Sequence, residues 1–259
     1  MTELLDSQDL KVFLEEKYNQ YNQVSFIATD PISIPRQFAR KEDIEIAGFL
    51  SATIAWGQRV TIIRNANKLV ELMDGQPYEY LTNGSFGDLK RFETFVHRTF
   101  NGDDCRYFIL ALAEIYRKKG GLEKLFADGV GIDGTIKTAI THFRDIFLSF
   151  APKHRIGKHV ANPSTGSSAK RINMFLRWMV RPSKGGVDFG LWKSIPPSAL
   201  MMPLDVHSGS VARKLGLLQR VQNDWQAVEE LTANLRLFDP SDPVKYDFAL
   251  FGLGAFEKF

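Results

Sequence analysis

Apolar residues recur at three- and four-residue spacing along almost the whole chain, and that spacing admits little besides packed helices. It marks Leu10–Tyr21, Ile44–Ala55, Val60–Met73, Tyr107–Tyr116 and Ile136–Phe150, then Ile172–Val180, Val206–Leu217, Trp225–Leu237 and Tyr246–Phe256. Side chains three or four apart share one helical face, whereas a half-buried strand needs strict alternation. Such alternation, bounded by turns, is almost absent. Breakers fall between the periodic segments: Asp30-Pro31, Asn83-Gly84, Gly120-Gly121, Asn162-Pro163, Gly185-Gly186, Pro196-Pro197 and Asp239-Pro240. The expected class is all-α.

A chain of 259 residues suits one large domain or two smaller parts sharing a cleft. We read it as a single unit over 1–259 with two helical subdomains, a helical barrel over 45–180 and a second part made of 1–44 with 181–259. The 44% hydrophobic content, with 20 Phe, provides core enough to exclude disorder over most of the length. A single cysteine, Cys105, excludes an internal disulfide, a cysteine-based zinc site and a cysteine-ligated iron–sulfur cluster. No cofactor is expected. No apolar stretch approaches the length that spans a bilayer, and Met1–Asp6 lacks the basic segment and apolar run of a secretory signal. The expected setting is the cytoplasm, with no membrane partner, and the expected state is a monomer.

Charge is unevenly divided. Residues 1–150 carry a net −3 and residues 151–259 a net +6. Between 151 and 187 there are eight basic residues (Lys153, Arg155, Lys158, Lys170, Arg171, Arg177, Arg181, Lys184) and no acidic one. A polyanion-facing surface explains such a run, because each cation that neutralises a phosphate releases a counterion. A solvated helix face usually mixes both signs.

Within this run, Ser167 or Ser168 is placed to cap a helix starting near Ala169-Lys170-Arg171. Lys170 then stands at a helix N-terminus, where the macrodipole disfavours positive charge, a setting that suits a nucleophilic amine. Downstream, Met202-Pro203-Leu204-Asp205-Val206-His207 brings Asp205 to the N-cap of another helix, which continues through Ser210 to Arg213-Lys214-Leu215-Gly216-Leu217.

The segment from Pro203 to Leu217 resembles the Pro-hydrophobic-Asp-x-His signature of the helix-hairpin-helix DNA glycosylase superfamily, with Ser210 in place of the first Arg of that pattern. Tyr246–Ala255 is similar to the superfamily's closing helix and its Leu-Gly-Ala end. Phe49-Leu50-Ser51 through Gly57-Gln58-Arg59 is similar to an early segment whose Gln fills the hole left by an extruded base. The resemblance implies a catalytic Asp at Asp205 and, in bifunctional members, a Schiff-base lysine at the start of a helix, here Lys170. The 35-residue separation of the two matches the archaeal 8-oxoguanine glycosylase type most nearly. His154-Arg155-Ile156-Gly157-Lys158 stands where the hairpin is expected, in a region spanning 151–170. The chain as a whole also resembles an uncharacterised bacterial family common in Bacteroides relatives.

The resemblance implies a glycosylase, with lyase activity as in the bifunctional members, acting on damaged double-stranded DNA. Lys170 and Asp205 would be catalytic, facing each other across the cleft between the subdomains. Gln58, Arg59, Arg155, Lys158, Arg171, Arg177 and His207 would contact DNA. The alternative is a nucleic-acid-binding protein that keeps the fold without the chemistry. Asp128–Gly134 contains G-x-G-x-x-G, but no strand precedes it, which argues against a dinucleotide site. The same Gly-Val-Gly can be read as the hairpin, with Lys137 as the lysine. Trp56, Trp178 and Trp192 read as core, and the histidines form no metal pattern.

Overall fold

A computed structural model describes residues 6–83, 86–150 and 155–259. Among the described residues there are helices, turns and two isolated bridges, and no strand. The α-helices are α1 (Ser7–Tyr21), α2 (Lys41–Thr53), α3 (Arg59–Glu71), α4 (Pro77–Asn83), α5 (Gly102–Lys118), α6 (Gly121–Asp133), α7 (Ile136–Ser149), α8 (Lys170–Val180), α9 (Val206–Lys214), α10 (Trp225–Phe238) and α11 (Asp247–Gly252). The protein is all-α, as the apolar spacing implies. Two helices lie outside the periodic segments: α4 is short, and α6 contains the glycines of the G-x-G-x-x-G string. None of the described helices is long and apolar enough to cross a membrane.

The chain divides into two compact units, Ile27–Ala161 and Met1–Phe26 with Asn162–Phe259. The division places α8 with the C-terminal residues, whereas the sequence reading puts it in the barrel over 45–180. The physical reason is its arginines. Arg177 and Arg181 are buried and paired with carboxylates at 188, 242 and 247.

The unit Ile27–Ala161 is built on phenylalanines. Phe108 and Phe147 meet edge to face at 4.8 Å, Phe126 stacks on Phe143 at 4.5 Å, and Phe49 lies between these pairs. Edge-on and offset contacts suit the ring quadrupoles and add to plain burial. A reciprocal capping box between Asn101 and Asp104 starts α5, and Gly134 closes α6 at φ +79°. The glycine string is therefore helical, neither a phosphate loop nor a hairpin. Lys137 sits in the first turn of α7, in a different unit from Asp205.

Those glycines show two different uses. A Cβ on Gly129 would stand 2.7 Å from the Cα of Ala139, so Gly129 is what lets α6 approach α7. Gly131 is exposed, with nothing within 4 Å of such an atom. Gly129→Ala is expected to destabilise by about 1–3 kcal/mol, since backbone blocks the added methyl. Gly131→Ala is expected to stabilise by up to about 1 kcal/mol through helix propensity alone. Thermal unfolding of the two variants should shift in opposite directions.

In the other unit the core includes Trp178, Trp192, Phe175 and Tyr246, with Phe175 edge-on to Trp192 at 5.4 Å. Trp178 and Trp192 are fully buried, in keeping with their reading as core, while Trp56 in the first unit is only half-buried. α11 packs against α1 and α9.

Candidate active site

α9 begins where it does because Asp205, in extended conformation after Pro203-Leu204, closes a reciprocal capping box. Its Oδ1 accepts from the Ser208 backbone N–H at 2.9 Å and from the Ser208 hydroxyl at 3.2 Å. The Asp205 N–H donates to that hydroxyl at 2.9 Å. The Asn223 side-chain amide donates to the Asp205 carbonyl at 3.0 Å and accepts from Arg213 at 2.6 Å. Gly209 leaves room for this brace, for a Cβ there would lie 2.8 Å from Asn223 Oδ1.

With Oδ1 committed to the cap, Oδ2 meets Lys170 Nζ at 3.0 Å. The expected pair is therefore in direct contact. Both residues belong to the unit of Met1–Phe26 with Asn162–Phe259, rather than one to each subdomain. The lysine side chain keeps 33% of its exposure and the carboxylate 14%. Burial works to raise the Asp205 pKa, but the charge of Lys170 and the hydrogen bonds from Ser208 and Lys170 outweigh it and hold the carboxyl below its ordinary value.

Lys170 is the first residue of α8, but no serine caps that helix. The cap is Ala169, buried and left-handed at φ +48°, ψ +33°. A non-glycine residue there carries backbone strain of about 1–2 kcal/mol. The Ser167 hydroxyl accepts from the Ala169 N–H at 3.2 Å, and the Asn173 amide donates to the Ser168 carbonyl at 3.1 Å. These bonds hold the chain in the turn that delivers Lys170 to Asp205.

The same unit also holds a largely buried chain of charges. Arg181 takes both oxygens of Asp242, at 2.8 and 2.9 Å, and Asp188 at 2.5 Å. Arg177 takes the other oxygen of Asp188 at 3.3 Å and, through Nη1, Asp247. The Arg177 guanidinium also lies 4.4 Å from the centroid of the Phe248 ring. This corrects one DNA-contact expectation. Arg177 is an internal counter-ion and faces no phosphate, and Arg181 likewise leaves the supposed basic surface.

The remaining expected contacts are scattered. Arg171 is half-buried on α8, where burial pushes its guanidinium down to about 10. His207 is exposed in the first turn of α9, and Gly254 packs on it: a Cβ at Gly254 would lie 3.0 Å from the His207 Cβ. Gln58 is exposed at the N-cap of α3, Arg59 is half-buried beside it, and Lys158 is exposed with Nζ donating to the Thr99 carbonyl at 3.3 Å. Those three belong to the unit Ile27–Ala161. Lys153, His154 and the Arg155 side chain lie outside the described residues, while Arg155–Lys158, in the segment expected as hairpin, form a short 3-10 turn.

Sequence reasoning passed over Asp247 and Asn223. Asp247 carried a legible sign, an acidic residue inside the apolar run Tyr246–Leu253, which demands a buried counter-charge. Asn223 carried none, since a loop asparagine is ordinary. Among the described residues no group of three or more His, Cys, Asp and Glu side chains converges as a metal site would.

A family model described as a protein of unknown function (DUF2400) matches residues 30–256. No curated protein and no solved structure matches the chain.

Proposed function

The chain belongs to the DUF2400 family, and we propose that it is a DNA-repair glycosylase with lyase activity, removing a damaged base from duplex DNA. One observation carries this reading: the amine of Lys170 and the carboxylate of Asp205 in hydrogen-bond contact at 3.0 Å, each at the start of a helix and each partly open to solvent. A nucleophile with an acceptor for its proton in reach is the minimal unit of covalent catalysis.

In this reading the damaged nucleotide is turned out of the stack to meet the pair. As the glycosidic bond breaks, its electron pair leaves with the base, and the Asp205 carboxylate offsets the positive charge gathering on the sugar. Lys170 Nζ then bonds to the anomeric carbon, and its proton passes through Asp205 to the departing base. Loss of the second Nζ proton to the ring oxygen opens the sugar to an imine. No side chain caps α8, so its first N–H groups suit a phosphate. Gln58, Arg59, Lys158, Arg171 and His207 remain the proposed DNA contacts, and Arg177 does not.

The test is reductive trapping. Wild-type protein and duplex DNA carrying an abasic site should condense to an imine with loss of water. Borohydride then reduces the imine to a stable adduct. Lys170→Gln should give no adduct while binding the duplex within a few-fold of wild type, since a single cation is lost. A wild type that binds duplex and forms no adduct on abasic or lesion-bearing DNA would overturn the enzyme reading and leave a binding protein.

A further inference from the structure

Lys170 and Asp205 stand on separate turns, and residues 215–224, which connect α9 to α10, are bonded to both. On one side Arg213 anchors the connection, with Nε donating to the Arg220 carbonyl at 2.8 Å and Nη2 to Asn223 Oδ1 at 2.6 Å. The Asn223 amide then donates to the Asp205 carbonyl at 3.0 Å. The next two residues hold the other turn. Asp224 forms an isolated antiparallel bridge with Ser167, and the Trp225 N–H donates to the Gly166 carbonyl at 3.0 Å. Ser167 accepts in turn from Ala169, the residue before Lys170. Asp224 is itself fixed, for it caps α10 through the Ala227 N–H at 3.1 Å and takes the Arg220 fork at 2.5 and 2.6 Å. All of these residues belong to one unit.

We propose, resting on the glycosylase reading for what the pair does, that Asn223 is a positioning residue and that the α9–α10 connection is the strut that sets the separation of the Lys170 amine from the Asp205 carboxylate. Three consecutive residues, Asn223, Asp224 and Trp225, tie the turn of one to the turn of the other. Asn223 bonds only the backbone of Asp205. The carboxylate oxygens remain with Ser208 and Lys170. Asn223 therefore governs where the carboxylate stands and leaves its chemistry alone.

Gly209 belongs to the same device. A Cβ there would lie 2.8 Å from Asn223 Oδ1 and 3.1 Å from its Nδ2, so a side chain pushes the amide away from Asp205. Alanine suits the helix itself better than glycine does. Gly209→Ala thus disturbs the strut from the opposite side while keeping Asn223.

The experiment titrates the Asp205 carboxyl by carbon NMR from pH 3 to 7 in wild type, Asn223→Ala, Gly209→Ala, Lys170→Met and the Asn223→Ala/Lys170→Met double variant. Lys170 helps to hold this carboxyl below its ordinary value against burial, so a loosened pair raises its midpoint. Asn223→Ala and Gly209→Ala should each raise it. In the Lys170→Met background Asn223→Ala should add little, because the strut acts through a contact already lost. His207 and Arg213 on α9, Arg220 and Asp224 on the strut, and Asp247 at the head of α11, which packs against α9, are the same residues in both backgrounds. The difference between backgrounds therefore reports the pair. A midpoint that neither substitution moves overturns the proposal, and so does an equal rise with and without the lysine, which would mark a merely structural role. Single-turnover trapping on abasic duplex should slow by about 10- to 100-fold in Asn223→Ala, the cost of misplacing a reacting group by roughly 1 Å, with duplex affinity within a few-fold. Trapping at the wild-type rate overturns the positioning role. Absence of adduct from wild type, with the NMR differences present, overturns only the glycosylase reading.

Discussion

Asp205→Asn is expected to slow base excision by about 100- to 1,000-fold, the size seen when one preorganised electrostatic group is removed from an active site. Affinity for duplex DNA should change by less than about threefold. The substitution separates chemistry from structure because Asn caps a helix as well as Asp does. Its Oδ1 can keep the bond from the Ser208 N–H that now starts α9. What disappears is the charge facing Lys170 and the acceptor for its proton. Interactions that strengthen only as the sugar turns cationic act on the rate and leave ground-state binding alone. Asp205→Ala would add the loss of the cap, about 1 kcal/mol of stability. The double variant with Lys170→Gln should be little slower than Lys170→Gln by itself, because residues that act as a unit are non-additive. Single-turnover rates and binding isotherms on the same duplex check this. Loss of binding in step with loss of rate would make Asp205 a DNA-contact residue instead.

The largest loss of stability should come from Arg177→Met, about 3–5 kcal/mol, the usual cost of leaving buried charge without its partner. The arginine is 4% exposed and serves two carboxylates, Asp188 and Asp247, from one guanidinium. Methionine fills much of the space and supplies no charge, so Asp247 is stranded in the core and Asp188 loses one of its two arginines. At about 2–4 °C per kcal/mol for a chain of this size, the unfolding midpoint should fall by roughly 10 °C at pH 7.5. The sign with pH follows from Asp247. Its native pKa of about 6 lies above the ordinary 3.8, so the stability it favours is present in acid and lost as pH rises towards 6. The Arg177→Met deficit should therefore shrink at pH 5, where Asp247 takes up a proton. Thermal unfolding at the two pH values checks both statements, and an unchanged midpoint would show that the network contributes nothing to the fold.

The helical class and most helix positions were legible because three- and four-residue spacing is a local property. α6 was not, since Gly129 and Gly131 read as breakers in sequence. One of them is instead the contact point with α7, a relation that appears only when two helices are packed. The basic run from 151 to 187 misled for a similar reason. Its acid-free composition suggests an outward surface, but the carboxylates of Arg177 and Arg181 arrive from Asp188, Asp242 and Asp247, up to 70 residues away. Counting charges along a chain cannot see pairs closed by folding. Lys170 and Asp205 were legible through their helix-start contexts and the resemblance of the Asp205 segment. The left-handed Ala169 was not, because alanine gives no sign of that conformation and Ser167 is the more obvious cap. Asp247 was visible as a residue of the closing helix and unread as a charge.

The central claim is that Lys170 is the nucleophile of a base-excision site, and locating the trapped sugar on the chain tests it most directly. Borohydride-reduced adduct from wild-type protein and abasic duplex, digested and mapped by mass spectrometry, should carry the deoxyribose remnant on Lys170 alone. A remnant on Lys137, on Lys158 or spread over surface lysines would contradict the account.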